Sequence, residues 1–248
     1  MAVLKRADAE IYYEEFGGGY PVLLFAPGGL RSRIDMWHAP ADGPARAWND
    51  WTATLAARFR VVAMDQRNAG RSRGAIAADH GWHTYAADHL ALMDHLGHRC
   101  FHTLGGCIGA SYCLKLCELA PARVSAAVLQ NPIGLHPEFP SYFPESHAAW
   151  AQEQRAARPD LAEQALTSFG RNMWDHDFVF SVTREFVRRC SVPCLVLPGD
   201  DTPHPAVIGA ELVALLPNKE ELNPWKGPAH LGAQCDRVIK FLEAYTQQ

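Results

Sequence analysis

Three short stretches carry residue types that together can do acyl chemistry. In GGCIGAS, residues 105–111, Cys107 stands between Gly105 and Gly109. This pattern suits an abrupt strand-to-helix turn, which strains its central residue and accepts only small neighbours two positions before and after. GDDTPHP, residues 199–205, offers Asp200 and Asp201, and GPAHLG, residues 227–232, offers His230. A nucleophile, a carboxylate and an imidazole in that chain order can form a triad, with the imidazole moving the proton and the carboxylate orienting the ring. An isolated cysteine is more often a small core residue. The flanking glycines and the two later partners favour a nucleophile here.

Short β-rich runs supply the frame: EIYYEEF (10–16), PVLLFA (21–26), RVVAMD (60–65), CFHTLG (100–105), VSAAVLQ (124–130) and VPCLVLP (192–198). Several are apolar throughout, as parallel strands covered on both faces are, whereas the first alternates and predicts an antiparallel edge. Helical patterns lie between them: 44–57, TYAADHLALMDHLG (84–97), 108–119 before Pro121, 206–216, and LGAQCDRVIKFLEAYT (231–246). The alternation predicts an α/β three-layer sandwich with a mostly parallel sheet. From Pro132 to Arg189 no strand pattern occurs, and aromatic-rich helical runs predict an insertion over 132–189. The core is then 1–131 and 190–248.

On this map the Cys107 turn follows the strand at 100–105 and opens a helix, the arrangement of the α/β-hydrolase fold superfamily. The chain resembles a capped member of it with a cysteine nucleophile. FAPGGLRS stands where that family carries a glycine-bearing oxyanion loop, with Pro27 in place of the usual histidine. The resemblance implies that the amides of Ile108 and Gly29, with Leu30 as the alternative, hold the oxyanion. MDQRNAGRS is similar to the family's Asp-x-Arg-Gly-x-Gly-x-Ser turn at Asp65, Arg67, Gly70 and Ser72, with Asn68 replacing one glycine, and has a structural role. The implied triad is Cys107, Asp201 and His230. Asp201 is preferred for its spacing to Pro205, and Asp200 remains the alternative acid. The implied activity is cofactor-independent hydrolysis of a small ester, lactone or thioester, because a thiolate is expelled from adducts of poor leaving groups such as amides. A carbon–carbon bond hydrolase or lyase is the alternative, and a non-catalytic small-molecule-binding relative the second.

Composition narrows the partners. With 27 acidic and 23 basic residues and a net charge of -4, nothing draws the chain to nucleic acid or an anionic membrane, so a small molecule is the expected substrate. No apolar run has the length of a membrane span, and the first residues lack a signal-peptide core, so the expected location is the cytoplasm. Homo-oligomerisation has no sequence signal. The seven cysteines form no Cys-x-x-Cys pair and are expected to be free thiols. His80 with His83, His95 with His98, and His204 beside Asp200 and Asp201 lack a convergent metal motif, so no metal or other cofactor is expected. Candidate substrate contacts are Arg31 and Arg33, which could meet an anionic group, Trp37 and His38 near the entrance, and Trp150 and Trp174 in the insertion.

Overall fold

The computed structural model describes residues 2–38 and 47–247. Its nine described strands are β1 (Ala2–Lys5), β2 (Ala9–Gly17), β3 (Pro21–Phe25), β4 (Arg60–Met64), β5 (Arg73–Gly74), β6 (Phe101–Gly106), β7 (Val124–Gln130), β8 (Cys194–Leu197) and β9 (Lys219–Glu221). They form one sheet in the order β1-β2-β4-β3-β6-β7-β8-β9, with β5 paired to β2. All pairings from β4 to β9 are parallel, and those made by β2 are antiparallel. The alternating run expected at an edge is therefore one strand in. The short β1 covers it, and its exposed Val3 and Lys5 mark the outer side.

The helices are α1 (Trp51–Ala56), α2 (Trp82–His95), α3 (Ile108–Leu119), α4 (Tyr142–Ala157), α5 (Glu163–Trp174), α6 (Arg184–Arg189), α7 (Ala206–Leu215) and α8 (Leu231–Ala244). The helix expected over 44–57 is seen as α1; residues 44–46 of that span lie outside the described residues. Asp50 starts α1 by accepting the Thr52 amide at 3.0 Å.

Two cores flank the sheet, and β3 shows why it reads as unbroken apolar sequence. Leu23 and Phe25 face one core with Leu92, Met93, Leu114 and Leu212, while Val22 and Leu24 face the other with Trp51, Leu55, Val238 and Phe241. Alternate side chains of a strand point to opposite faces, so a strand covered on both needs apolar residues at every position. Between β7 and β8 the chain leaves the sheet and forms α4, α5 and α6, within the stretch 132–189 that lacks strand patterning.

The Asp65–Ser72 turn after β4 ties these parts together. Asp65 is fully buried and accepts the Ile34 amide at 2.9 Å, the Arg71 amide at 2.9 Å and Arg71 Nε at 2.8 Å. Asn68 takes φ 61°, a conformation that asparagine tolerates better than most residues, and its side chain accepts the Gly74 amide at 2.9 Å. Gly70 is required, since a Cβ there would stand 2.4 Å from Asp65 Oδ2. Arg67 makes a fork of two 2.8 Å bonds to the buried Asp88 of α2 and a third of 2.8 Å to Asp8.

Removing one partner of a buried ion pair leaves the other charge uncompensated, at a cost of about 3–5 kcal/mol. Asp88→Ala is expected to lower stability by about that amount, measured as a shift in the denaturant midpoint with the slope unchanged. An effect below about 1 kcal/mol, the range of exposed pairs, would show that the Arg67 cluster is not structural.

Candidate active site

β6 ends at Gly106 and α3 begins at Ile108, leaving Cys107 alone to reverse the chain direction, with φ 59° and ψ -121°. A non-glycine residue held there is strained, and the surroundings must over-determine it. They do. The Cys107 amide donates to the Gln130 carbonyl at 3.0 Å, and the Ala110 amide returns to the Cys107 carbonyl at 3.1 Å. Strand and helix also touch: a Cβ on Gly105 would lie 2.1 Å from the Gly109 carbonyl, and one on Gly109 would lie 2.5 Å from the Phe25 carbonyl oxygen. Both glycines are steric requirements of the turn.

The half-buried Cys107 lines a cavity of about 360 Å³ that also borders Gly28, Gln130, Asn131, Tyr142, Phe143 and His204. Its imidazole neighbour is His204, not His230. The turn from Asp201 to His204 is closed by an antiparallel bridge, with the His204 amide donating to the Asp201 carbonyl at 3.0 Å. That closure sets Asp201 Oδ1 against His204 Nδ1 in a short hydrogen bond. The buried Nε2 has no hydrogen-bond partner among the described residues, and the His204 ring and the Cys107 thiol border the same cavity.

Electrostatics follow from this contact. Burial pushes the Cys107 thiol up, but the neighbouring His204 ring and the amides of Gly28 and Ile108 pull it down, leaving it below the ordinary value of 9.0. Burial pushes His204 down, but the Cys107 thiolate and Asp201 outweigh it and raise the ring above 6.5. Both shifts favour a thiolate–imidazolium pair. Cys113, buried one and a half turns along α3 with no imidazole, is instead pushed up to about 12 by burial.

Several residues expected at the site stand elsewhere. His230 ends the Pro228–His230 turn, does not border the cavity, and its ring makes no hydrogen bond to Cys107 or Asp201. Its loop is fastened outside: the Gly227 amide donates to the Ala47 carbonyl at 2.8 Å, and Asn49 Nδ2 donates to the Leu231 carbonyl at 2.9 Å. Asp200 is turned to Lys226 rather than to an imidazole. At the oxyanion loop the amide facing the sulfur is that of Gly28, at φ 120°. Gly29 borders the cavity without that contact, and the Leu30 side chain is buried in the core.

None of the six candidate substrate contacts lines the cavity. Arg31 is engaged by Glu153 of α4 through bonds of 2.9 and 2.8 Å, and Arg33 lies 3.9 Å from Asp35. Trp37 is fully buried beneath Gly106, and His38 pairs with Asp50 at 2.7 Å. Trp150 packs on His147 and Phe169, while Trp174 stacks behind Phe143 with centroids 4.9 Å apart. Aromatic residues of the insertion mostly satisfy one another. Among the described residues no group of three or more His, Cys, Asp or Glu side chains is placed to hold a metal ion. No described helix is long and apolar enough to cross a membrane.

A family model for the alpha/beta hydrolase fold matches residues 21–180. The chain belongs to the alpha/beta hydrolase fold family. This alpha/beta hydrolase is 32% identical over 131 residues to a protein of Azorhizobium caulinodans provisionally named carbamate hydrolase RutD, covering 53% of this chain and 44% of the relative. The match thus spans less than half of that relative's length. A non-heme haloperoxidase of Rhodococcus erythropolis is 27% identical over an alignment of 274 residues that covers 93% of each chain. Among solved structures, the enol-lactonase of Burkholderia xenovorans LB400 superposes with a TM-score of 0.66 at 20% identity, covering 95% of this chain and 97% of the other. That likeness is one of fold.

His204 had a signal in the sequence. Asp-x-x-His with proline at 203 is the length of a tight turn, which brings the two side chains to one side. The lowered thiol pKa has a direct readout in the pH dependence of Cys107 alkylation by iodoacetamide, followed by mass spectrometry. The midpoint is expected below 9.0, because a depressed thiol stays ionised as pH falls until its own pKa is crossed. His204→Ala removes the compensation for burial and is expected to move the midpoint upward, while His230→Ala leaves it in place. A shift in the His230 variant alone would reverse the assignment.

Proposed function

We propose that the protein is a cofactor-independent hydrolase of small activated acyl compounds, esters, lactones or thioesters, in which Cys107 is the nucleophile. The observation that carries this reading is the Cys107 thiol in contact with His204 inside a cavity, with two backbone amides aimed at the sulfur. The thiolate attacks the acyl carbon, and the carbonyl electron pair moves to oxygen. The amides of Gly28 and Ile108 are the donors for this oxyanion, each such donor contributing on the order of 100-fold in rate. His204 gives its Nε2 proton to the departing oxygen or sulfur as the tetrahedral adduct collapses to a thioester on Cys107. It then takes a proton from water, hydroxide attacks the thioester, and the thiolate is regenerated. Asp201, on Nδ1, holds the ring with Nε2 toward the sulfur and stabilises its cation.

α4 to α6 act in this reading as a lid over residues 132–189, with Phe143 and Tyr142 as the roof of the acyl site. The relatives named a carbamate hydrolase and an enol-lactonase support acyl chemistry on this framework. Cysteine favours activated acyl groups over amides, because in an amide adduct the thiolate is the better leaving group.

The test is acylation by p-nitrophenyl acetate. Wild type is expected to release p-nitrophenol in a burst and to gain one acetyl group on Cys107. Cys107→Ala loses both, and His204→Ala is slowed about 100- to 10,000-fold, the usual contribution of a general acid–base. Turnover that survives Cys107→Ala would defeat the covalent route.

A further inference from the structure

We infer that the acyl site selects a substrate whose acyl chain carries a neutral oxygen acceptor, a keto or ether oxygen, which receives a hydrogen bond from the side-chain NH₂ of Gln130. This rests on the reading of Cys107 as the acylated nucleophile. Gln130 closes β7 on the face where Ala126 and Val128 join the core of Trp51, a position that the alternation of the strand reserves for an apolar residue. It is only 2% exposed, and it borders the Cys107 cavity. A chain of bonds that starts at the backbone settles its orientation. The Asn49 amide donates to Gln234 Oε1 at 3.0 Å, so Gln234 turns its NH₂ the other way, and that group reaches Gln130 Oε1 at 3.4 Å. Trp51 Nε1, which can only donate, bonds the same oxygen at 2.7 Å. Two donors thus hold Oε1, and the Gln130 NH₂ is left pointing away from them.

That NH₂ donates to no acceptor among the described residues and, unlike Trp37 Nε1, its nitrogen is not sealed from solvent. The way to it passes Gly106, the β6 residue paired with Gln130 and another wall of the cavity. A Cβ on Gly106 would stand 2.8 Å from the Trp37 ring and 3.6 Å from Gln130 Nε2, so the missing side chain leaves the amide uncovered. Its neighbour Asn131 supplies no acceptor, because its Oδ1 is sealed against Gly199, outside the cavity lining. The hydroxyls of Tyr142 and Ser146 rotate and can donate or accept, whereas the Gln130 NH₂ is fixed as a donor. Buried polar groups are nearly always paired, so this one calls for an acceptor from the substrate or from water. An alkyl chain of the same length would cut the NH₂ off from water and give it no partner. No Lys or Arg side chain lines the cavity among the described residues, so a carboxylate would lose its hydration there with no free counter-charge, and a neutral oxygen fits.

The experiment measures kcat/KM for Cys107 acylation by matched pairs of p-nitrophenyl esters that move an oxygen along the chain: methoxyacetate against butanoate, 3-methoxypropanoate against pentanoate, and 4-oxopentanoate against 4-methylpentanoate. Each rate is divided by that of the same ester with hydroxide, which removes intrinsic reactivity, and a p-nitrophenyl acetate arm reports on the nucleophile alone. At least one pair is expected to favour the oxygen-bearing ester by about 5-fold or more, the effect of one neutral hydrogen bond to an otherwise unpaired donor. In Gln130→Glu one carboxylate oxygen can still serve Trp51 and Gln234 while the other replaces the NH₂, so the preference is expected to vanish or invert. Gln130→Met, uncharged and without a donor, is expected to lose it as well. Because each ratio is taken within one variant, a change in the nucleophile cancels. Acetate that acylates Cys107 while no pair shows a preference would overturn the inference and leave the catalytic reading standing, and so would a preference that survives both variants. Failure of every ester, acetate included, to acylate Cys107 would overturn both.

Discussion

The contact on which the site depends is the close approach of Gly105 to Gly109. β6 and α3 meet there with no room for a single carbon on either residue. The short connection obliges one residue between them to adopt a positive φ, and that residue is Cys107. Strain at this position is held by the flanking β7, whose Gln130 carbonyl takes the Cys107 amide, and by the first turn of α3. The side chain then projects away from strand and helix, toward the oxyanion loop and the acid-bearing loop. Larger residues at 105 or 109 would separate strand from helix and relax the turn, so the exposure of the thiol is a consequence of packing.

The second constraint is electrostatic and lies beneath the oxyanion loop. Asp65, without solvent contact, holds the Ile34 amide, while Gln66 donates from its amide to the Ser32 carbonyl at 3.0 Å and Ser32 Oγ reaches the Ala26 carbonyl at 2.6 Å. These bonds set the curvature of residues 26–34 and hence the direction of the Gly28 amide. Arg67 carries the same framework to α2 through Asp88. Burial opposes its charge, but the Asp88 and Asp8 carboxylates outweigh burial and keep the guanidinium above its ordinary pKa. The Arg31–Glu153 pair joins the oxyanion loop to α4, so the loop and the insertion are mechanically linked.

Most of the frame was legible because it rests on local rules. Runs buried on both faces betray parallel strands, and α3 spans 108–119 as the turn and Pro121 require. β9, Lys219–Glu221, escaped because it is three polar residues long, and β1 because it is four residues long and only partly buried. The site was legible where a motif states a backbone need, as at Gly105, Cys107, Gly109 and Asn68. It was not where chain order stood in for geometry. Asp201 and His204 are joined by one four-residue turn, whereas His230 depends on the path of a loop that the 47–49 segment fastens elsewhere. The Gly28 amide, rather than that of Gly29, faces the sulfur because the turn at Gly29–Arg31 begins after it. Arginine and tryptophan candidates failed for a common reason: charges found partners and large rings found a core, and neither pairing has a signature in composition.

In the proposed mechanism the thiol needs its imidazole held close and its charge confined, and these demands explain why an acid three residues from the histidine can serve. Asp201 is half-exposed, so alone it would exert a screened field on the site. Its effect comes instead through the buried His204, whose Nδ1 faces the carboxylate and whose Nε2 is left for the sulfur in the proposed mechanism. The antiparallel bridge fixes the ring relative to its own backbone, and Pro203 and Pro205 on either side limit how far that backbone can yield. Positioning that would otherwise require two loops to meet over the sheet is thereby concentrated in one turn of four residues. In the proposed mechanism the thiolate meets it across the cavity, with the Gly28 and Ile108 amides as donors for charge on sulfur or on an acyl oxygen. Such preorganised dipoles act most strongly where water is excluded, the role that the proposed mechanism gives to Tyr142 and Phe143 of α4.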